Sequence, residues 1–329
     1  MNRGPDSSSR NRGTRFTSWR KGDRGPSLQD QFARVVRELH APVGPGYQIF
    51  AVDGGRVRSL HLTPEASCFA VVGRHSECDL SMESDPAVSL RHLLLRVVTL
   101  ESGGGSALRV IDLATPEGFQ TDEGNPLAAV VAEGPFAFRI GRSAIFAIPW
   151  GVFLVPDLPA PSSVGSGVVP PVLPPSGHPY RDASRASRAR WQTEITMVPP
   201  PSSLAPERSK LAAERVLTVR RGHHQTDVPK SLAALSSGVL LGRYARCDHA
   251  GRDLMGARVS RVHSLLLHEG GDDLLFDLAS SNGTHHDGAR VRRVLLRDGD
   301  RVELAPGYED SIHLTWRHCP QSGDPLVWN

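Results

Sequence analysis

The sequence predicts an all-β protein built from two β-sandwiches, and three observations carry that prediction. Short runs rich in β-branched and aromatic residues recur along most of the chain. Turn-forming pairs and triplets separate them, among them Gly54-Gly55, Gly103 to Gly105 and Asp287-Gly288. The two halves also repeat each other. VVGRHSECDL corresponds to LLGRYARCDH, VSLRH to VSRVH and VIDLATPEGF to LFDLASSNGT, at nearly equal spacing, so one module has been duplicated.

The 329 residues suffice for two domains with connecting segments. Residues 1–26 hold Arg, Ser and Gly with almost nothing to bury, and are expected to be a disordered basic tail. Residues 27–40 read as an amphipathic helix. Leu28, Phe32, Val35, Val36 and Leu39 recur at helical spacing, Ser27 with Asp30 forms the N-terminal cap, and Pro42 bars continuation. Residues 47–156 carry the first set of strands, from YQIFAV to AIFAI. Residues 157–210, with VPPVLPP, VPPPSS and RASRAR, read as a linker rich in Pro, Ser and Arg. Residues 215–318 carry the second set, from VLTV to IHLTW.

Composition narrows the function. The net charge of +3 comes from the tail, where Arg3, Arg10, Arg12, Arg15, Arg20, Lys21 and Arg24 face only Asp6 and Asp23. The remainder is near neutral and lacks aromatic platforms, so no nucleic-acid partner is expected. Four cysteines without a CxxC pair read as free thiols in a reducing compartment. The apolar run from Ala144 to Val155 is too short to span a membrane and is broken by Pro149, and the N-terminus lacks an apolar signal core. A cytoplasmic protein with no membrane partner is expected. The pairs His223-His224 and His285-His286 would point to opposite faces of a strand, and no ligand set completes them, so no metal is expected. The sequence shows no P-loop, nucleophile elbow or kinase signature. No enzyme activity and no cofactor are expected.

The C-terminal copy contains Gly242-Arg243, then Ser260-Arg261-Val262-His263, then Ser280-Ser281-Asn282-Gly283-Thr284. In this order, over about 215–318, these blocks resemble the forkhead-associated (FHA) domain family, with its GR, SRxH and SxNGT signatures. The resemblance implies two FHA-type β-sandwiches and a C-terminal module that binds phosphothreonine. Arg243, Ser260, Ser281 and Asn282 would form the pocket with Arg261 at its edge. Gly242, His263, Gly283 and Thr284 would shape the loops. The chemistry agrees. A phosphothreonine is close to a dianion with three acceptor oxygens. A guanidinium fork and neutral donors held on loops suit it. The implied function is a phosphothreonine-dependent adaptor in Ser/Thr kinase signalling, whose partner is a kinase or a kinase substrate. The alternative is a phosphate-independent scaffold subunit of a larger assembly.

The N-terminal copy, resembling the same family over about 47–156, keeps Arg74, Ser89 and His92. Leu90 replaces the usual arginine and Arg91 is shifted by one. Pro116 and Glu117 stand where the C-terminal copy has Ser281 and Asn282. Proline has no N–H to donate, and glutamate repels a phosphate. This site is expected to be degenerate and its module to make a protein contact that needs no phosphate. Thr193 and Thr196 follow several arginines in the linker. The linker reads as an unmodified spacer; the alternative is that these threonines, phosphorylated on a flexible tether, would compete in cis for the C-terminal pocket.

Overall fold

The computed structural model describes residues 26–38, 45–65, 68–100, 105–121, 124–149, 153–154, 171–172, 194–198, 201, 213–247, 254–307 and 311–319. The tail through residue 25, Thr193 and most of the expected linker lie outside the described residues.

Helix α1 (Leu28–Glu38) opens on the cap expected for it. Ser27 Oγ accepts from the Asp30 N–H at 3.1 Å, and Asp30 Oδ2 accepts from the Ser27 N–H at 3.2 Å. The first module then runs β1 (Tyr47–Asp53), β2 (Arg56–Leu62), β3 (Phe69–Gly73), β4 (Leu80–Ser81), β5 (Leu93–Thr99), β6 (Ser106–Asp112), β7 (Phe119–Gln120), β8 (Pro126–Leu127), β9 (Ala129–Glu133), β10 (Phe136–Ile140) and β11 (Ser143–Pro149). Three short strands follow, β12 (Phe153–Leu154), β13 (Pro171–Val172) and β14 (Glu194–Met197).

The second module comprises β15 (Arg215–Arg221), β16 (His224–Lys230), helix α2 (Leu232–Ser237), β17 (Val239–Leu241), β18 (Ser264–Glu269), β19 (Asp272–Asp277), β20 (Thr284–His286), β21 (Ala289–Val291), β22 (Arg293–Leu296), β23 (Arg301–Leu304) and β24 (Ile312–His318). The strand orders show the duplication directly. One sheet reads β2-β1-β11-β10-β7-β8 in the first module and β16-β15-β24-β23-β20-β21 in the second. The facing sheet reads β14-β9-β6-β5-β3-β4 in the first, and its inner four strands match β22-β19-β18-β17 in the second. The Asp287-Gly288 hairpin joins β20 to β21 with both residues at positive φ (49° and 77°), the geometry that this pair favours.

Each module has its own core between its sheets, one centred on Ile49, Leu95, Val110 and Phe138, the other on Leu217, Leu266, Val302 and Trp316. The outer faces are also apolar. Helix α1 lays Leu28, Phe32 and Val35 against Phe50, Phe146 and Ile148, on the outer face of β1 and β11. The outer face of the other N-terminal sheet meets the corresponding face of the C-terminal module. Phe69, Val71, Cys78, Leu94, Ile111 and Leu113 form one cluster with Leu240, Cys247, Leu265, Phe276 and Leu278. Five matched positions of the repeat enter this cluster from both sides: Val71 and Leu240, Cys78 and Cys247, Leu94 and Leu265, Ile111 and Phe276, Leu113 and Leu278. The modules are therefore docked face to face in near two-fold fashion. The Phe69 and Phe276 rings meet edge-on at 4.9 Å.

Ion pairs surround this apolar patch, buried at Arg96 and Arg109 and exposed at Arg292. Glu269 takes Arg96 at 2.9 Å and Arg109 at 2.8 Å, while Arg96 also lies over the Phe276 ring. Arg292 reaches Asp79 at 2.7 Å and stacks on Phe69. Removing the Glu269 carboxylate would strand two nearly buried guanidiniums, a change that costs about 3–5 kcal/mol where such pairs are broken.

One expectation needs correction. The Thr196 segment does not hang free. Glu194–Met197 forms β14 and extends the N-terminal sheet along β9, with Thr196 opposite Val131. Two features account for it: Ile195 and Thr196 are β-branched in an otherwise Pro-rich stretch, and the folded module offers the unpaired edge of β9. Thr196 is exposed, but its backbone is held on the wrong module for a tether to the C-terminal pocket. We predict that Thr196→Pro, which removes a ladder donor, raises hydrogen exchange at Val131, whose N–H faces Thr196 across the ladder, at least about tenfold in the full chain. Unchanged exchange there would mean that β14 does not pair.

Candidate functional site

The site is built from loops at one end of each module, and the same device holds them in both. The glycine before each arginine permits a close approach. A Cβ on Gly242 would stand 2.3 Å from the Arg261 carbonyl oxygen, and one on Gly73 would stand 2.4 Å from that of Leu90. The arginine that follows is pinned by its Nε–H. Arg243 donates to the Val259 carbonyl at 2.9 Å and Arg74 to the Val88 carbonyl at 3.1 Å. Both side chains are exposed, with the guanidinium Nη groups extending beyond the anchored Nε.

A buried histidine ties two loops together. The Ser260 N–H donates to His263 Nδ1 at 3.1 Å, and His263 Nε2–H donates to the Gly283 carbonyl at 3.2 Å. In the N-terminal module Ser89, His92 and Gly118 repeat this at 3.0 and 2.7 Å. An N–H aimed at Nδ1 fixes the proton on Nε2. Burial holds both rings neutral, with the pKa lowered from 6.5 to about 4.

An aspartate anchors the third loop. Asp277 accepts from the Ser280 N–H (2.8 Å), Ser280 Oγ–H (2.6 Å) and Thr284 Oγ1–H (2.6 Å). Ser280 Oγ in turn accepts from the Gly283 N–H at 3.0 Å. Asp112 and Thr115 repeat part of this set, at 2.6 and 3.0 Å. Phe119 replaces Thr284, so Asp112 lacks that donor, and burial pushes its pKa up from 3.8 to about 7. The role of Asp277 and Ser280 was not read from the sequence, although the Asp-Leu-Ala-Ser/Thr block common to both copies carries the signal.

Among the residues singled out in the C-terminal copy, Arg243, Ser260, Arg261 and Ser281 line one cavity of about 540 Å³. The Ser281 N–H donates to Ser260 Oγ at 3.2 Å, which leaves the Ser260 hydroxyl proton available to a ligand. Asn282 is placed differently from the others. Its side-chain amide donates to the Arg258 carbonyl at 2.7 Å and braces the loop.

The N-terminal module lines the same cavity through Arg74, His75, Ser89, Leu90, Pro116 and Glu117. The two sets of recognition loops thus share one cleft. Arg91, one residue out of place in the sequence comparison, explains how. It lines the cleft beside Leu90, but its donors are spent across the interface. Its buried guanidinium crosses the interface and donates from Nε to the Leu278 carbonyl at 2.6 Å, and from Nε and Nη2 to that of Ala279. These carbonyls immediately precede Ser280 and Ser281. Arg246 returns the contact, donating to the Ala114 carbonyl at 3.2 Å. Ala114 and Ala279 are matched positions held at positive φ (55° and 54°), an orientation that costs about 1–2 kcal/mol for a residue with a Cβ.

Residues 239–305 match the FHA domain family model and form an FHA domain; the N-terminal module repeats its strand order. Solved structures similar to the chain include the first FHA domain of Rv1747 from Mycobacterium tuberculosis. It is 25% identical over 32% of this chain and 100% of that one, with a TM-score of 0.26. Another is the N-terminal FHA domain of Rad53p from S. cerevisiae, solved with a phosphothreonine peptide. It is 27% identical over 32% of this chain and 94% of that one, with a TM-score of 0.27. No curated protein matches the chain. Among the described residues, no helix is long and apolar enough to cross a membrane.

Two predictions follow from this geometry. Each histidine has a folded pKa below its unfolded value, so its contribution to stability is complete above about pH 6.5 and is lost as pH falls toward about 4. Nitrogen-15 ring spectra at pH 5.5 should show His92 and His263 neutral with the proton on Nε2; a charged ring at that pH would contradict the tether. Arg91→Ala leaves the buried Leu278 carbonyl and the half-buried Ala279 carbonyl without their donor and should lower unfolding free energy by about 2–4 kcal/mol in denaturant titration. A change below about 0.5 kcal/mol would mean that the arginine is not seated there.

Proposed function

We propose that this protein is a non-catalytic adaptor whose C-terminal FHA domain reads phosphothreonine on a partner in Ser/Thr kinase signalling. The observation that carries the reading is the opening of Arg243, Ser260, Arg261 and Ser281 onto one cleft. Two exposed guanidiniums supply charge, and the Ser260 hydroxyl is oriented with its lone pair already engaged by the Ser281 N–H. A phosphate oxygen seated here meets donors that are already in position, so little ordering is needed on binding. Asn282 supports the site indirectly, by fixing the loop that bears Ser281 to the segment at Arg258. Threonine would be preferred over serine because its methyl group packs into the pocket, as the family resemblance implies. The partner is then a kinase or one of its substrates.

Titration calorimetry of the full chain with paired peptides tests the reading. The phosphothreonine form should bind at least about a hundredfold more tightly than the unmodified form, since each charge-assisted bond contributes about 1.5–3 kcal/mol. Arg243→Ala should remove most of that difference. Equal affinity for the two forms, or full binding by the variant, would contradict it and favour the phosphate-independent scaffold.

A further inference from the structure

The N-terminal site is degenerate in only one of its halves. The loop half is lost, because Pro116 has no N–H to give and Glu117 brings a negative charge. The cationic half is intact. Arg74 is exposed, is anchored by Nε to the Val88 carbonyl as Arg243 is to that of Val259, and makes no ion pair among the described residues. Beside it, the Ser89 hydroxyl has no partner among the described residues, whereas its counterpart Ser260 is already engaged by the Ser281 N–H. His75 adds a third donor. Its Nδ1 accepts from the Glu77 N–H at 3.2 Å, so the neutral ring carries its proton on Nε2. An exposed arginine with two neutral donors beside it is anion-binding chemistry. It lies in the cleft that also holds Arg243, because the modules are docked face to face.

Alone, this half-site is weak. Glu117 opposes an anion, and there are few fixed donors. Its position changes that. A ligand held at Arg243 presents the rest of its chain to Arg74 at an effective concentration of order millimolar. The 540 Å³ cavity is about 10 Å across, which about three extended residues would span.

We propose that the cleft recognises a doubly anionic peptide. The phosphothreonine sits at Arg243, and a second anionic side chain, about three residues away, sits at Arg74 and Ser89 of the N-terminal module. This rests on the reading of Arg243 as the phosphothreonine contact. The second anion is a phosphate or a carboxylate, and the N-terminal module then selects among ligands that the C-terminal module holds.

The test is calorimetry of the full chain with a peptide panel. It comprises an unmodified peptide, the phosphothreonine peptide, and phosphothreonine peptides with phosphoserine or glutamate placed two, three or four residues to either side. At least one doubly anionic peptide should bind about tenfold more tightly than the singly phosphorylated one. In Arg74→Ala that ratio should fall below about twofold, and in Glu117→Gln it should rise. The phosphoserine and glutamate arms show which anion is taken. If no second anion improves binding, or if the gain survives Arg74→Ala, the inference is overturned. If the phosphothreonine peptide binds no better than the unmodified one, the phosphothreonine reading itself fails, and the inference falls with it.

Discussion

Everything about the cleft depends on one apolar contact, the packing of two sheet faces that an isolated sandwich would leave in water. Phe69, Val71, Leu94 and Ile111 on one side and Leu240, Leu265, Phe276 and Leu278 on the other are buried only because each module covers the other. Fully burying a side chain of this size is worth about 1.5–3 kcal/mol. Arg91, Arg96 and Arg109 are carried into the interface with it. The docking fixes where the recognition loops go. Both sets lie at the same end of their sandwiches, and a near two-fold contact through matched strands brings those ends together.

The duplication has kept the loop device and changed its use. Histidine tether, glycine approach and pinned arginine are present in both copies with nearly the same distances. What diverged is the third loop, through Pro116, Glu117 and Phe119, and the position after Ser89, where Leu90 stands in place of Arg261. The N-terminal module packs against the other half of the same chain. Through Arg91 it also holds the carbonyls of Leu278 and Ala279, next to the loop that carries Ser281.

Much of this was legible in the sequence. The strands, the turns, the Ser27 cap and the order of the repeat follow from local preference and spacing, which act within a few residues. The interface did not, although its trace is present. HSLLLH and LLFDL are continuous apolar runs, not alternating ones, and a strand with two apolar faces is covered on both sides. Periodicity shows that a second face is buried and is silent about what buries it. The role of Arg91 was not legible for a related reason. Its role is set by carbonyls about 190 residues away, and no local comparison of the two copies contains them. Thr196 went the same way, because pairing with β9 depends on an edge that only the folded module presents.

The central claim is that the two modules form one rigid unit with one shared cleft. Electron–electron distance measurement tests it most directly. Spin labels would be introduced through unnatural amino acids at the exposed positions Ser59 and Gln225, one in each module, leaving the four native cysteines in place. Face-to-face docking predicts a single narrow distance distribution that a phosphothreonine peptide leaves unchanged. A broad distribution spanning tens of ångströms, as two sandwiches on a free linker would give, would contradict it.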